Sequence, residues 1–130
     1  MTPEKFTVEI IAPTGLVLKS NVNEVVIPSY EGEMGILKNH IAIITFLRPG
    51  LIKIYNDSEE IFFVEDGTVE FAENTLLILT STAKKLNEID KISLNKHIKD
   101  DEKKILDEKI NDKEKYSLSY KIETLKNINQ

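Results

Sequence analysis

The side chains that most often carry chemistry are scarce in this chain of 130 residues. It has no Cys, which excludes thiolate metal sites, disulfides and thiol nucleophiles. Its only histidines, His40 and His97, lack the short His/Glu spacing of a zinc site. No Gly-rich loop ends in Gly-Lys-Ser/Thr, so no phosphate cradle of the Walker type is expected. The spacing of the residues therefore predicts neither a catalytic centre nor a bound cofactor.

Individual polar residues are interpreted mostly as structural. His40 is either a packed structural residue or an interface contact, and His97 is a solvated helix residue. The adjacent carboxylates Asp100, Asp101 and Glu102 are interpreted as one solvated helix face, because charged runs in helices usually face water.

A Gly-x-x-Gly segment, Gly32 to Gly35, invites comparison with the loop that clamps RNA backbone in one binding module. That loop lies between helices in a basic setting. Here Glu31 precedes the segment and Glu33 lies within it, and both carboxylates would repel phosphate. The two glycines instead predict a tight, exposed loop in which the backbone takes positive φ.

The charge balance limits the partners of the chain. It carries 17 basic and 22 acidic residues, a net charge of −5, whereas nucleic-acid binders have a basic footprint. The longest unbroken apolar run, Ile41 to Ile44, is far shorter than the ~20 residues that a spanning helix needs. We expect no nucleic-acid partner and no direct insertion into a membrane.

Residues 1–86 read as a β domain. All five Gly and all four Pro precede residue 68, and apolar residues recur with a period of two, as in Phe6, Val8 and Ile10. Turn signals every 8–12 residues predict a sandwich, a flattened barrel of about ten short strands. The pair Asp66-Gly67 is typical of a type I′ hairpin turn.

Residues 87–130 read as an α-helical hairpin. The segment from residue 89 onward has neither Gly nor Pro, and its apolar residues recur with a helical period. These residues are Leu94, Ile98 and Ile105 in the first helix and Leu118, Ile122 and Leu125 in the second. Asp90 or Ser93 is expected to cap the first helix and Asp112 the second.

The densest cluster of special residues resembles a known family. The segment from Ile27 to His40 is similar to the signature of the epsilon subunit of F-type ATP synthases. It reads Ile27-Pro28, two residues, Glu31-Gly-Glu-Met-Gly-Ile-Leu37, two residues, then His40. Leu47-Arg-Pro-Gly50 and the strand pair Phe63 to Phe71 match the same family in order and spacing. Ile41-Ala42 departs from the family's Ala-Pro, and Asp66 replaces the first of two family glycines.

The resemblance implies a non-catalytic rotor subunit of the central stalk, which links the gamma subunit to the membrane c-ring and couples proton flow to ATP synthesis. It places Glu31, Gly32 and Glu33 toward the ring, and Met34 and His40 toward gamma. It also implies a peripheral location on the cytoplasmic side of the bacterial inner membrane.

The resemblance further implies that the hairpin makes transient contact with the alpha and beta subunits, through Lys99, Lys103 and Lys104, and restrains ATP hydrolysis. Some members sense ATP through an Ile/Leu-Asp-x-x-Arg-Ala motif, and Ile89-Asp90 here is followed by neither the Arg nor the Ala. An ATP-sensing regulatory subunit is one alternative, although the missing Arg and Ala argue against sensing through that motif. A free-standing β-sandwich module for carbohydrate is another, although the chain has no Trp to stack on a sugar.

Overall fold

A computed structural model of the chain describes residues 4–128. Ten strands are followed by a short 3₁₀ turn at Leu86–Glu88 and two helices, which confirms the predicted order of a β-sandwich and a helical hairpin. The strands are β1 (Phe6–Ala12), β2 (Gly15–Val22), β3 (Glu24–Ser29), β4 (Gly32–Leu37), β5 (Ile43–Leu47), β6 (Gly50–Tyr55), β7 (Glu59–Val64), β8 (Gly67–Ala72), β9 (Thr75–Leu79) and β10 (Ala83–Lys85). The helices are α1 (Lys91–Ile105) and α2 (Asp112–Ile128).

The strands hydrogen-bond in the order β10-β7-β6-β3-β5-β8-β9-β1-β2, and β4 pairs with β3. Neighbours are antiparallel except β1 and β9, which run parallel. β3 meets β5 only through Ser29 and Leu47, so the sheet folds over at this point and its two halves face each other. This geometry is the flattened barrel that the turn spacing predicts.

The core lies between the two halves of the sheet. Alternate residues point inward in strands such as β1, β6 and β8, as the period of two predicts, and Val8 and Ile10 on β1 are fully buried. Phe6 packs edge-on against Phe71, with ring centroids 5.7 Å apart. Burial of these side chains contributes about 1.5–3 kcal/mol each, so the sandwich has a substantial core of its own.

One predicted hairpin turn is absent. Asp66-Gly67 does not form a hairpin turn, because β7 pairs with β6 and β10, whereas β8 pairs with β5 and β9. The chain crosses here between the two halves of the sandwich. The Asp66 carboxylate accepts hydrogen bonds from the amide and hydroxyl of Ser81, at 3.0 and 2.6 Å. The type I′ pattern lies instead at Glu73-Asn74, which joins β8 to β9. The φ values of these two residues are 50° and 57°.

The Gly-x-x-Gly segment is a strand and not a loop. It forms most of β4, in which Gly35 is extended and pairs with Val26. Only Gly32 takes a positive φ, of 121°, where the chain leaves the turn after β3. The prediction of two positive φ values was wrong, because cross-strand pairing needs an extended backbone at Gly35.

The hairpin helices are capped by one expected and one unexpected residue. Asp90 caps α1, as predicted, and accepts a hydrogen bond from the amide of Ile92 at 3.2 Å. α2 is capped by Asn111 and not by Asp112. The Asn111 side chain accepts from the amide of Glu114 at 2.8 Å and donates to its carboxylate at 3.3 Å. This reciprocal pair is a variant of the capping box, because the Glu114 carboxylate accepts from the side-chain amide of the cap residue and not from its backbone amide.

The hairpin docks on the sandwich through a second, smaller apolar cluster. Leu94 and Ile98 of α1 and Leu125 of α2 bury themselves against Phe63 of β7. This cluster is much smaller than the core of the sandwich, so polar contacts have a larger share in holding the helices down.

Candidate partner-binding surfaces

The turn between β3 and β4 presents the carboxylates that the family resemblance predicts to face a partner. Ser29, only 1% exposed, closes the turn because its hydroxyl donates to the carbonyl of Gly32 at 2.7 Å. Glu31 and Glu33 are exposed on either side of Gly32. The structure therefore brings the three residues Glu31, Gly32 and Glu33 together at one end of the sandwich.

Helix α2 packs directly against this turn. The ring of Tyr30 stacks on that of Tyr116, with centroids 6.1 Å apart and planes inclined by 19°. The hydroxyl of Tyr30 lies 3.3 Å from that of Ser117. The turn is thus a joint feature of the sandwich and the hairpin, a contact that sequence reasoning missed.

Arg48, the only arginine, ties the same helix to the base of the turn. Its Nε donates to the carbonyl of Ser29 at 3.0 Å, and its guanidinium lies 4.0 Å from the ring centroid of Tyr120. The hydroxyls of Tyr120 and Tyr116 are 3.0 Å apart, and this hydrogen bond, followed by burial, raises the pKa of Tyr116. The i, i+4 spacing of two tyrosines on α2 was the available sequence signal.

Met34 and His40 lie elsewhere. Met34 is half-buried and packs against the sandwich core. His40 follows the opposite end of β4, about 20 Å of strand away from the turn. Its Nδ1 is 2.7 Å from the carbonyl of Ile41, and its ring meets that of Phe71 edge-on at 5.9 Å. The structure thus separates His40 from the carboxylates of the turn.

The segment after Met34 carries a set of exposed apolar side chains. Leu37 is 53% exposed, Ile41 and Ile44 are each 76% exposed, and Phe46 is 60% exposed. We call these four residues the exposed apolar segment. Ile44 and Phe46 share the outer face of β5, and Leu79 on that side of the sandwich is also 44% exposed. Large apolar groups in such a series are typical of a protein-protein contact.

The interpretation of Asp100–Glu102 as a solvated face is wrong for one residue. Asp101 is 2% exposed and lies between the helices, where its carboxylate is 3.1 Å from Nζ of Lys121. Nζ also lies 2.8 Å from Glu65, at the end of β7. Burial opposes the charge of Lys121, but the hydrogen bond and attraction of Glu65, together with those of Asp101, hold its pKa above the ordinary value. The helical period of α1 places Asp101 on the same side as Leu94 and Ile98.

The predicted hairpin contacts lie at the surface. Lys99, Lys103 and Lys104 are all exposed on α1, away from its buried side. Lys104 borders a shallow groove near the connection between the helices, together with Ile110 and Leu118. All three side chains are accessible from solvent.

A cleft of about 330 Å³ separates the hairpin from the sandwich. Phe63 and Leu125 contribute apolar surface, and His97 borders the cleft as an exposed helix residue. The charged lining consists of the acids Glu65, Glu88 and Asp90 and the bases Lys84 and Lys121. Carboxylates at this density do not favour a phosphate-bearing ligand.

Within residues 4–128, no three His, Asp or Glu side chains are grouped so as to hold a metal ion. No helix in this range is long and apolar enough to cross a membrane.

Solved structures support the fold. A chain of the Euglena gracilis mitochondrial ATP synthase, solved with OSCP, F1 and c-ring, superposes with a TM-score of 0.75 at 21% identity, over 97% of this chain and 80% of that one. A chain from the central stalk and c-ring of the Tetrahymena thermophila mitochondrial ATP synthase gives a TM-score of 0.69 at 20% identity, over all of both chains.

Sequence relatives are more specific. The family described as "ATP synthase, Delta/Epsilon chain, beta-sandwich domain" matches residues 5–86. The ATP synthase epsilon chain of Pelagibacter ubique is 45% identical over 97% of this chain and 98% of its own length. That of Aquifex aeolicus is 35% identical over 63% of this chain and 62% of its own. These matches confirm the resemblance drawn from the glycine-rich signature, and the chain belongs to the family of ATP synthase epsilon chains.

Proposed function

We propose that the chain is a non-catalytic rotor subunit of the central stalk, in which a β-sandwich of residues 1–86 links the gamma subunit to the c-ring and a hairpin of residues 87–130 restrains ATP hydrolysis. The complex acts as a proton-transporting ATP synthase, and the chain is held at the cytoplasmic side of the bacterial inner membrane by its partners. Such a subunit needs a stiff body and separate contact surfaces.

The observation that carries this proposal is the exposed apolar segment, in a chain whose core is otherwise well buried. Ile44 and Phe46 leave most of their surface in water, and nothing in the sandwich requires this. Permanent interfaces have apolar centres, so these side chains are suited to a constant neighbour. We assign this surface to gamma. His40 borders it through the adjacent Ile41, and Met34 lies half-buried on β4, three residues before Leu37.

Substitution of an exposed apolar residue tests this assignment. Ile44→Asp should weaken association with gamma by at least tenfold, because it places a charge in the centre of an apolar contact. The melting temperature of the isolated subunit should change little, since Ile44 is 76% exposed. Leu106→Asp, at an 81% exposed position of the hairpin, is the matched control and should leave association unchanged. Equal association of both variants with gamma would contradict the assignment.

The turn end of the sandwich is assigned to the c-ring. Glu31 and Glu33 present charge there on a hydrogen-bonded turn, and each exposed charge pair is worth only about 0–1 kcal/mol. Affinity must therefore be spread over several contacts. A cysteine introduced by Glu33→Cys should crosslink to the polar loop of the ring in the intact complex. A cysteine on the far side of the sandwich, introduced by Ser58→Cys, is the control, and crosslinking from Ser58→Cys in place of Glu33→Cys would refute the orientation.

A further inference from the structure

The c-ring-facing turn and the hairpin are one structural unit in this chain. Tyr30 stacks on Tyr116, and Arg48 reaches from the carbonyl of Ser29 to the ring of Tyr120. The turn is therefore held from two sides by the same helix. Even so, Tyr30 is 40% exposed and Tyr116 45% exposed, so part of each ring is accessible to solvent, and Glu31 directly follows Tyr30 in the chain.

These groups have a common preference for cations. The face of a tyrosine ring carries partial negative charge and attracts ammonium or guanidinium groups. The cluster already binds one such group, since the guanidinium of Arg48 lies 4.0 Å from the centroid of Tyr120. Within residues 4–128, neither Glu31 nor Glu33 takes part in a salt bridge, so both carboxylates remain available to a partner.

We propose that the docked hairpin forms part of the ring-facing surface, with Tyr30, Tyr116 and Glu31 together binding a Lys or Arg side chain in the polar loop of the c-ring. This inference rests on the proposed assignment of the turn to the ring. The sandwich supplies the charge and one aromatic ring, and α2 supplies the second ring.

A linkage follows from this shared site. If the partner's cation contacts Tyr116 only when α2 is docked, partner binding stabilises docking, and docking strengthens partner binding by the same factor. The subunit should hold its hairpin more firmly when it is assembled on the ring than when it is free in solution.

The test measures the affinity of the labelled full-length chain for ATP synthase depleted of this subunit, at low salt. Glu31→Gln and Tyr116→Leu should each weaken binding by about two- to fivefold, the range of an exposed ion pair or cation–π contact. Leucine retains apolar packing on Tyr30 but lacks the partial negative charge on the ring face of Tyr116. Tyr116→Phe, which keeps that face, should bind as the unmodified chain does, as should the hairpin control Leu106→Ala.

The double variant Glu31→Gln/Tyr116→Leu distinguishes a shared cation from two separate contacts. If both groups hold the same cation, the double variant binds about as well as the weaker single variant. Multiplied effects would overturn the inference, as would Tyr116→Leu binding like Leu106→Ala while Glu31→Gln binds weakly. In both cases the ring assignment stands. If neither single variant weakens binding, the ring assignment fails as well.

Amide hydrogen exchange in α2 shows whether the hairpin stays docked in each variant. If Tyr116→Leu releases the helix, Tyr30→Leu takes its place in the double variant with Glu31→Gln. Tyr30→Leu removes the aromatic ring on the sandwich side. A non-multiplicative double variant is again the expected result, and a multiplicative one again overturns the inference.

Discussion

Replacement of Lys121 by methionine should release the hairpin without unfolding the sandwich. The substitution keeps the unbranched stem and helix propensity but removes the ammonium group that faces Asp101 and Glu65. The side chain of Asp101 is only 3% exposed, so its carboxylate would be left buried without a counter-charge.

The magnitude follows from the burial of the pair. Removing one partner of a fully buried ion pair costs about 3–5 kcal/mol. Lys121 is 15% exposed and Glu65 is 38% exposed, so water already reaches part of the network. We therefore expect a cost of about 2–3 kcal/mol, which corresponds to hairpin opening that is about 30- to 150-fold more frequent. Because Asp101 lies on α1, Lys121 on α2 and Glu65 at the end of β7, the cost applies to the packing of the helices on each other and on the sandwich.

Hydrogen exchange of peptides from α1, α2 and β1 measures this effect. Exchange in both helices should accelerate by the factor given, and exchange in β1 should be unchanged, because local opening leaves the sandwich core intact. Lys126→Met is the control, since it removes an α2–α1 pair with Glu102 that is 57% and 47% exposed and worth about 0–1 kcal/mol. Similar exchange in Lys121→Met and Lys126→Met would refute the reasoning. The double variant Asp101→Leu/Lys121→Met should recover most of the docking, because no unpaired charge remains.

Three further predictions concern pH, backbone geometry and the tail. Folding raises the pKa of Lys121, so the unmodified chain should be more stable than Lys121→Met by a constant amount below the ordinary lysine pKa of about 10.4. That extra stability should be lost as the pH rises through the pKa of the folded state, which thermal melting can follow. Gly67→Ala should lower the melting temperature by at least about 5 °C, because a Cβ would lie 2.6 Å from the carbonyl oxygen of Leu79, whereas Gly35→Ala, facing only a flexible carboxylate at 3.3 Å, should change it little. Removal of residues 89–130 should leave assembly and ATP synthesis intact and raise hydrolysis a few-fold at most, because ten Lys are interleaved with nine acids and give little net attraction. Lost assembly, or activation of tenfold or more, would contradict this last expectation.

The two turns show where sequence reasoning fails on local geometry. Asp66-Gly67 has the composition of a type I′ turn, yet its flanking strands do not pair with each other. Glu73-Asn74 has a less typical composition and takes the turn, because β8 and β9 are adjacent in the sheet. Pairing between strands, and not turn composition, selected which dipeptide formed the two-residue hairpin turn.

Buried charge shows the same limit in the hairpin. A run of three acids flanked by lysines reads as a solvated face, because charged runs in helices usually face water. Lys121 lies in the other helix, and its approach to Asp101 depends on how the helices cross. The cluster of Tyr30, Arg48 and Tyr116 likewise joins residues far apart in the sequence.

The sequence by itself determined the order of sandwich and hairpin, the inward-facing apolar residues and the family, because these depend on period, turn composition and an ordered signature. Tertiary structure alone decided which exposed side chains form one surface and which charges pair in the interior. Those properties depend on distances between residues remote in the chain, and hydrophobic period carries no information about such distances. The contact of α2 with the Tyr30 turn is of this kind, and it follows from how the hairpin docks and not from any motif in either segment.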